Sequence, residues 1–231
     1  MMTAMLFQWN PMGTDSTRVS SSTHQTGFKT FRPMSPKLFG STGNMLRYNP
    51  ETDRLALPGI AKGFAFARHF GQVRKYNELP YIIHPEFVAK VLFRMGAAYE
   101  VQAAGWCHDL VEDTDTTLDE IEFLMGSEVR RYVWEVTSPP KSAGTRKVRK
   151  AMDLERLSSA SYGGKTIKLI DGIDNMPSIA ANDPEFAKVY FKEKEDLLPA
   201  LVGGNDWAHL MYSRMIEQYK AGKTVEPYLV E

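Results

Sequence analysis

Beyond residue 57 the apolar residues recur at every third and fourth position, the period of helices packed on one face. Pro58 suits a first helical turn, and Ile60, Phe64, Ala67 and Phe70 follow it at helical spacing. Gly71 permits a break. Pro85 opens a second predicted helix, with Phe87, Val88, Val91, Leu92 and Met95 as its apolar face and Gly96 at its end. A third is expected from about Glu100 to Asp113. Thr117 followed by Glu120 has the form of a capping box, predicting a short helix that stops at Gly126. Ser127 caps the next, whose stripe is Val129, Tyr132, Val133 and Val136, and Pro139-Pro140 ends it. Further helices are expected near residues 143–160, 164–176, 184–202 and 205–221. Asn182-Asp183-Pro184 and Gly203-Gly204-Asn205-Asp206 punctuate them. Strand-like alternation is nearly absent and no internal repeat appears. The expectation is one all-α domain, residues 58–231, of seven or more helices.

Residues 1–57 break the pattern. They are rich in Ser, Thr, Gly, Pro and Met, and stretches such as Thr14 to Thr17 and Ser20 to Thr23 have little to bury. A flexible or loosely docked arm is expected there, with partner binding or oligomerisation as its functional alternative. Over the whole chain composition is ordinary for a globular protein, at 43% hydrophobic and 24% charged residues. Collagen, a fully disordered chain and a disulfide scaffold are excluded. Lys and Arg number 28 and so do Asp and Glu, so no overall basic field recruits nucleic acid. Any anion site has to be built locally. The lone Cys107 has no internal disulfide partner and fits a reducing compartment. There is no apolar run of the roughly 20 residues a membrane span needs, and no signal peptide pattern. A cytoplasmic protein without membrane or nucleic-acid partners is expected; the oligomeric state stays open.

Three segments concentrate metal-ligand chemistry. Pro80-Tyr81-Ile82-Ile83-His84-Pro85 sets a histidine immediately before a predicted helix start. In Cys107 to Thr114 an adjacent His108-Asp109 pair ends an apolar helix, with Glu112 and Asp113 each four residues past one member of the pair. On a continuous helix an imidazole and three carboxylates would then crowd one end. In Lys168 to Asn175, Leu169, Ile170 and Ile173 are apolar, while Asp171 and Asn175 share a face. Carboxylates gathered on apolar helices repel one another and lose hydration, and a divalent cation relieves both penalties. Two imidazoles with two carboxylates suit Mn²⁺, Fe²⁺ or Co²⁺ better than a closed thiolate zinc site. Singly, each piece has a plainer explanation: His84 as a packing or capping residue, His-Asp as a chance pair, Asp171 as a salt-bridged surface acid. Their joint occurrence carries the argument. His69 and His209 are expected to be structural, and His24 a solvated arm residue.

The composite of Arg74-Lys75, Pro80-Tyr81-Ile82-Ile83-His84-Pro85, His108-Asp109-Leu110-Val111-Glu112-Asp113-Thr114 and Lys168-Leu169-Ile170-Asp171 with Asn175 resembles the hydrolase domain of the RelA/SpoT alarmone enzymes. The small stand-alone hydrolases of the metazoan SpoT homolog type are the nearest in pattern. That group belongs to the HD-domain phosphohydrolases, and the resemblance spans roughly residues 60–200. It implies an HD-domain helical bundle. It further implies His84, His108, Asp109 and Asp171 as metal ligands, with Mn²⁺ as the metal, and Glu112 and Asp113 as the residues that orient or deprotonate the attacking water. Arg74 and Lys75 would contact the guanine end of the nucleotide, and Asn175 and Tyr190 would help to hold it. The basic run Arg146, Lys147, Arg149 and Lys150 offers phosphate contacts or, equally, a solvated helix face. The activity implied is hydrolysis of the 3′-pyrophosphate of guanosine tetra- or pentaphosphate. Another nucleotide substrate, such as a dNTP or NADPH, and a catalytically silent nucleotide-sensing domain are the alternatives. Two positions depart from the family pattern. Gly172 stands where a bulky or basic residue is usual, and Asp174 replaces an aromatic or histidine.

Overall fold

The computed structural model describes residues 48–49 and 52–227. Among them the architecture is all-α: α1 (Leu57–Arg68), α2 (Ile83–Arg94), α3 (Tyr99–Cys107), α4 (Leu110–Asp113), α5 (Leu118–Val136), α6 (Arg146–Ser158), α7 (Tyr162–Asn182), α8 (Pro184–Leu197) and α9 (Asp206–Lys220). The 3₁₀ turn Leu198–Leu201 tightens the end of α8. The most regular extended pairing among the described residues is one isolated antiparallel bridge, Val73 to Pro80.

α3 forms the centre of one half. Seven consecutive residues, Val101 to Cys107, are buried, as befits a helix enclosed on all sides. It packs against α1, α2 and α5. α7 forms the other spine, packing on α2, α5, α8 and α9. Its buried stripe includes Ile167, Leu169, Ile170, Ile173 and Met176. The end of the first spine and the middle of the second lie at the internal face where His108, Asp109 and Asp171 meet.

Several expected boundaries shift, each for a local reason. In α1 the buried stripe is Leu57, Ala61 and Ala65, whereas Ile60 and Phe70 are 38% and 84% exposed. Small residues face α3 there because the two helices approach closely. α2 begins at Ile83, so His84 lies within its first turn and not ahead of it. The predicted helix from Glu100 to Asp113 stops at Cys107 and resumes at Leu110. α7 continues through Pro177 to Asn182. The proline lacks only the N–H that Ile173's carbonyl would accept, and packing on both sides outweighs that loss.

The capping box is present: Glu120 N–H donates to Thr117 Oγ1 at 3.2 Å, and Thr117 N–H donates to Glu120 Oε2 at 2.9 Å. The expected stop at Gly126 is a kink inside α5, where φ is 86° and ψ 168°, a conformation glycine adopts without strain. The expected arm falls mostly outside the described residues. Of its described part, Tyr48 packs against the core, and Arg54 pairs with Glu100 at 2.5 Å.

Gly172 has a packing explanation. A Cβ at this position would overlap the ring of fully buried Tyr212 on α9. The bare backbone lets α9 seat its tyrosine against α7. Gly172→Ala is expected to destabilise the fold by about 1–3 kcal/mol through overpacking, read as a lower denaturation midpoint in urea. An unchanged midpoint would show that Tyr212 moves aside freely.

Candidate metal centre

Three pieces of local structure build the site. The hairpin closed by the Val73–Pro80 bridge, with Tyr81 N–H donating to Gln72 O at 2.9 Å, delivers Tyr81 and then His84 in the first turn of α2. The break after Cys107 turns His108 and Asp109 inward. The middle of α7 supplies Lys168, Asp171, Asp174 and Asn175.

His84 Nε2 and His108 Nε2 lie 3.1 Å apart. Asp109 Oδ2 is 3.3 Å from the first and 3.1 Å from the second, and Asp171 Oδ1 is 3.4 Å from His84 Nε2. Ligand atoms of His84, His108 and Asp171 all fall within 4.8 Å of one another. Both imidazoles are 1% exposed. Each also has a partner on its outer nitrogen: His84 Nδ1 donates to Asp174 Oδ2 at 2.7 Å, and His108 Nδ1 donates to the Gly105 carbonyl at 2.9 Å. These partners only accept, so the Nδ1 atoms carry protons and the Nε2 atoms face the shared centre, where each can take a proton or a cation. Burial opposes charge on every member. Even so, Asp109, Asp171 and Asp174 hold the His84 imidazolium well above the ordinary histidine range. Asp109 and Asp171 stay well below the carboxylate range, Asp109 through the histidines and Asp171 through Lys168 and His84. This donor set of two nitrogens and two carboxylate oxygens, without thiolate, fits a hard or borderline divalent cation.

Tyr81 and Lys168 complete the inner site. The Tyr81 hydroxyl donates to Asp109 Oδ2 at 2.6 Å. Lys168 Nζ lies 2.9 Å from Asp171 Oδ2 with its side chain 13% exposed. Burial alone would lower its ammonium, but Asp171, Glu112 and Asp109 raise it above the usual lysine range. Glu112 and Asp113 do not crowd the imidazoles as a continuous helix would have made them. Glu112 Oε1 accepts the Ser138 N–H at 2.7 Å. Desolvation in the cleft, with Asp109 and Asp171 nearby, raises its carboxyl although Lys168 and Ser138 pull it down. Desolvation and Asp109 likewise raise Asp113.

Of the residues expected to meet a nucleotide, Arg74 and Asn175 join the cluster. Arg74 Nη2 donates to Asn175 Oδ1 at 3.1 Å, and Asn175 Nδ2 donates to Asp171 Oδ1 at 2.7 Å. Lys75 stays at the rim, 71% exposed and 3.0 Å from Asp183. Tyr190 is buried on α8, in the wall of a recess that Arg146, Lys150, Lys168, Phe186 and Lys194 also line. Lys147 and Arg149 do not reach that recess. His69 is buried, with Nδ1 2.7 Å from Gln72 Oε1 and its ring against Tyr81; His209 contacts the Leu198 carbonyl. Sequence reasoning assigned no role to Tyr81, Lys168 or Asp174. The first two lie inside the motifs quoted above, and the signal for Asp174 was its i+3 spacing from Asp171.

Residues 61–197 match the HD domain family. The human guanosine-3′,5′-bis(diphosphate) 3′-pyrophosphohydrolase MESH1 is 36% identical over 156 residues, 63% of this chain and 84% of the relative. Its mouse counterpart is 34% identical over 169 residues, 68% of this chain and 92% of the relative. A solved structure described as a metazoan ortholog of SpoT that hydrolyzes ppGpp superposes with a TM-score of 0.65 at 28% identity, covering 71% of this chain and 96% of that one. Family match, helical architecture and the paired histidines with their aspartates agree, and the chain belongs to the HD domain family.

Proposed function

We propose that this chain removes the 3′-pyrophosphate of guanosine tetra- or pentaphosphate, giving GDP or GTP and pyrophosphate. The observation that carries the reading is the pair of inward Nε2 atoms 3.1 Å apart, flanked by two carboxylates. Facing lone pairs and anionic oxygens are tolerated in a buried centre when a cation joins them. His84, His108, Asp109 and Asp171 would hold it, and Mn²⁺ is the metal assigned. The activity for which the human and mouse relatives are named supports the substrate and bond.

When bound, the cation supplies Lewis acidity toward a phosphoryl oxygen and toward the attacking water. The chain's own residues do the remaining work. Glu112, held by the Ser138 N–H, takes the proton of the water on its free carboxylate oxygen. Asp113, whose carbonyl accepts from Gln72 Nε2 at 2.9 Å on the hairpin side of the site, is assigned to help orient that water. Lys168, buried and kept charged by three acids, stabilises negative charge beside Asp171. Arg146, Lys150 and Lys194 meet the remaining phosphate charge in the recess. Its aromatic wall is Phe186 and Tyr190, ring centroids 5.8 Å apart, with the Arg146 guanidinium 5.2 Å from the Phe186 ring. Arg74, Lys75 and Asn175 lie toward the nucleoside end. The N-terminal arm is assigned outside the catalytic domain only ahead of the residues that pack on it, Tyr48, Arg54 and Leu57, and the setting as cytoplasmic; no helix among the described residues is long and apolar enough to cross a membrane.

A nucleotide panel with Mn²⁺, products resolved, tests the assignment. The expected result is stoichiometric pyrophosphate from guanosine tetraphosphate, leaving GDP. Cleavage of dNTPs or NADPH with no pyrophosphate from the alarmone would transfer the same site to another nucleotide. No turnover of any nucleotide would leave the silent sensing domain.

A further inference from the structure

Arg74 reaches two consecutive residues of α7. Its Nη1 is paired with Asp174 Oδ2, and its Nη2 donates to Asn175 Oδ1 at 3.1 Å. Each partner passes the contact inward. The same Asp174 oxygen accepts from His84 Nδ1 at 2.7 Å, and Asn175 Nδ2 donates to Asp171 Oδ1 at 2.7 Å. One guanidinium therefore braces an imidazole and a carboxylate of the cluster along two separate hydrogen-bonded paths. The side chains of Arg74 and Asp174 are only 12% and 16% exposed, so water competes little for these contacts.

We propose that Arg74 is a positioning residue of the metal centre, orienting His84 through Asp174 and Asp171 through Asn175. The proposal rests on the reading of that cluster as a metal site. Three physical arguments support it. Arg74 fixes Asp174 Oδ2 where it accepts from His84 Nδ1, which keeps the ring turned so that Nε2 faces the centre. An N–H on the Arg74 side requires the Asn175 oxygen to face it, which points the amide nitrogen at Asp171. Only the planar fork of arginine serves both acceptors at once, and a lysine ammonium offers a single point charge. An arginine engaged solely with a nucleotide base would have no need of these paths. Asp174, a departure from the family pattern, is the residue that closes the first of them.

Mn²⁺ titration of the full-length protein, by calorimetry or by competition with a chelating dye, reads the effect without turnover. Arg74→Lys is expected to weaken Mn²⁺ binding by about 10–100-fold, the range for lost outer-shell support. Arg74→Gln should do the same and Asp174→Asn should lose no more than that, since it cuts one of the two paths Arg74 serves; the double variant should cost little more than Arg74→Gln alone. Lys75→Ala should leave Mn²⁺ affinity unchanged, since Lys75 pairs with surface-facing Asp183. Arg74→Lys preserves a positive charge beside Asp174, so it tests the idea even where the glutamine variant fails to fold. Wild-type Mn²⁺ affinity in Arg74→Lys and Arg74→Gln, with only KM raised, would overturn the proposal and leave the metal site standing. Equal binding, or none, in wild type and His108→Ala would overturn both.

Discussion

Replacing Glu112 with glutamine is expected to lower hydrolytic turnover by about 10²–10⁴-fold, the loss typical of a removed general base, while Mn²⁺ affinity and folding persist. The substitution is close to isosteric, and its amide oxygen can still accept the Ser138 N–H that fixes Glu112 Oε1. What disappears is the capacity to take a proton. The environment favours that role. Desolvation, Asp109 and Asp171 raise the Glu112 carboxyl above the ordinary glutamate value, against the pull of Lys168 and Ser138. A raised carboxylate is a stronger base once ionised. The sign for pH follows: the active form is the ionised one, so kcat falls as pH drops through the raised pKa. The acid limb of the wild-type profile should therefore lie above the usual glutamate range, and Glu112→Gln should lack it. Wild-type turnover in the variant would remove Glu112 from the proton transfer and leave Asp113 as the candidate.

The elements most legible in the sequence are those fixed by local chemistry. Thr117 with Glu120, Gly126 and the Asn182-Asp183-Pro184 stop are short-range signals, and each marks a real start, kink or end. The segments that carry the candidate ligands were readable for the same reason, as each is contiguous. What local pattern could not supply is long-range. Arg74 and Asp174 stand 100 positions apart, and nothing near either predicts their pairing. The break at His108–Asp109 is also tertiary in origin. The apolar pattern continues through it, but buried His108 holds the Gly105 carbonyl while its Nε2 faces His84. Pro177 shows the converse, a strong local stop signal overridden by the packing of α7 between its neighbours. Phe70 and Ile60 carry the right spacing for a core yet lie outside, because Ala61 and Ala65 allow α1 its approach to α3.

His108→Ala is expected to abolish Mn²⁺ binding and turnover together. His108 is 1% exposed and offers one of the two facing Nε2 atoms, so its removal takes a ligand that no nearby side chain replaces in that position. Transition-state stabilisation by a metal is several kcal/mol, and each 1.4 kcal/mol is tenfold in rate, so turnover should fall by at least about 10³-fold. The metal-free fold should suffer less. In the metal-free protein the alanine removes the 3.1 Å contact between the two Nε2 atoms and opens a small cavity. Thermal melting separates the two effects. Wild-type protein at Mn²⁺ near 100-fold above Kd gains about 2.7 kcal/mol by mass action, a rise of about 5–10 °C for a domain of this size. Added chelator should reverse it. The melting temperature of His108→Ala should be indifferent to both. A variant that still rises with Mn²⁺ would place the cation elsewhere on the protein. A wild-type protein that does not rise would mean that protons, shared among two imidazoles and their aspartates, are what hold this cluster together.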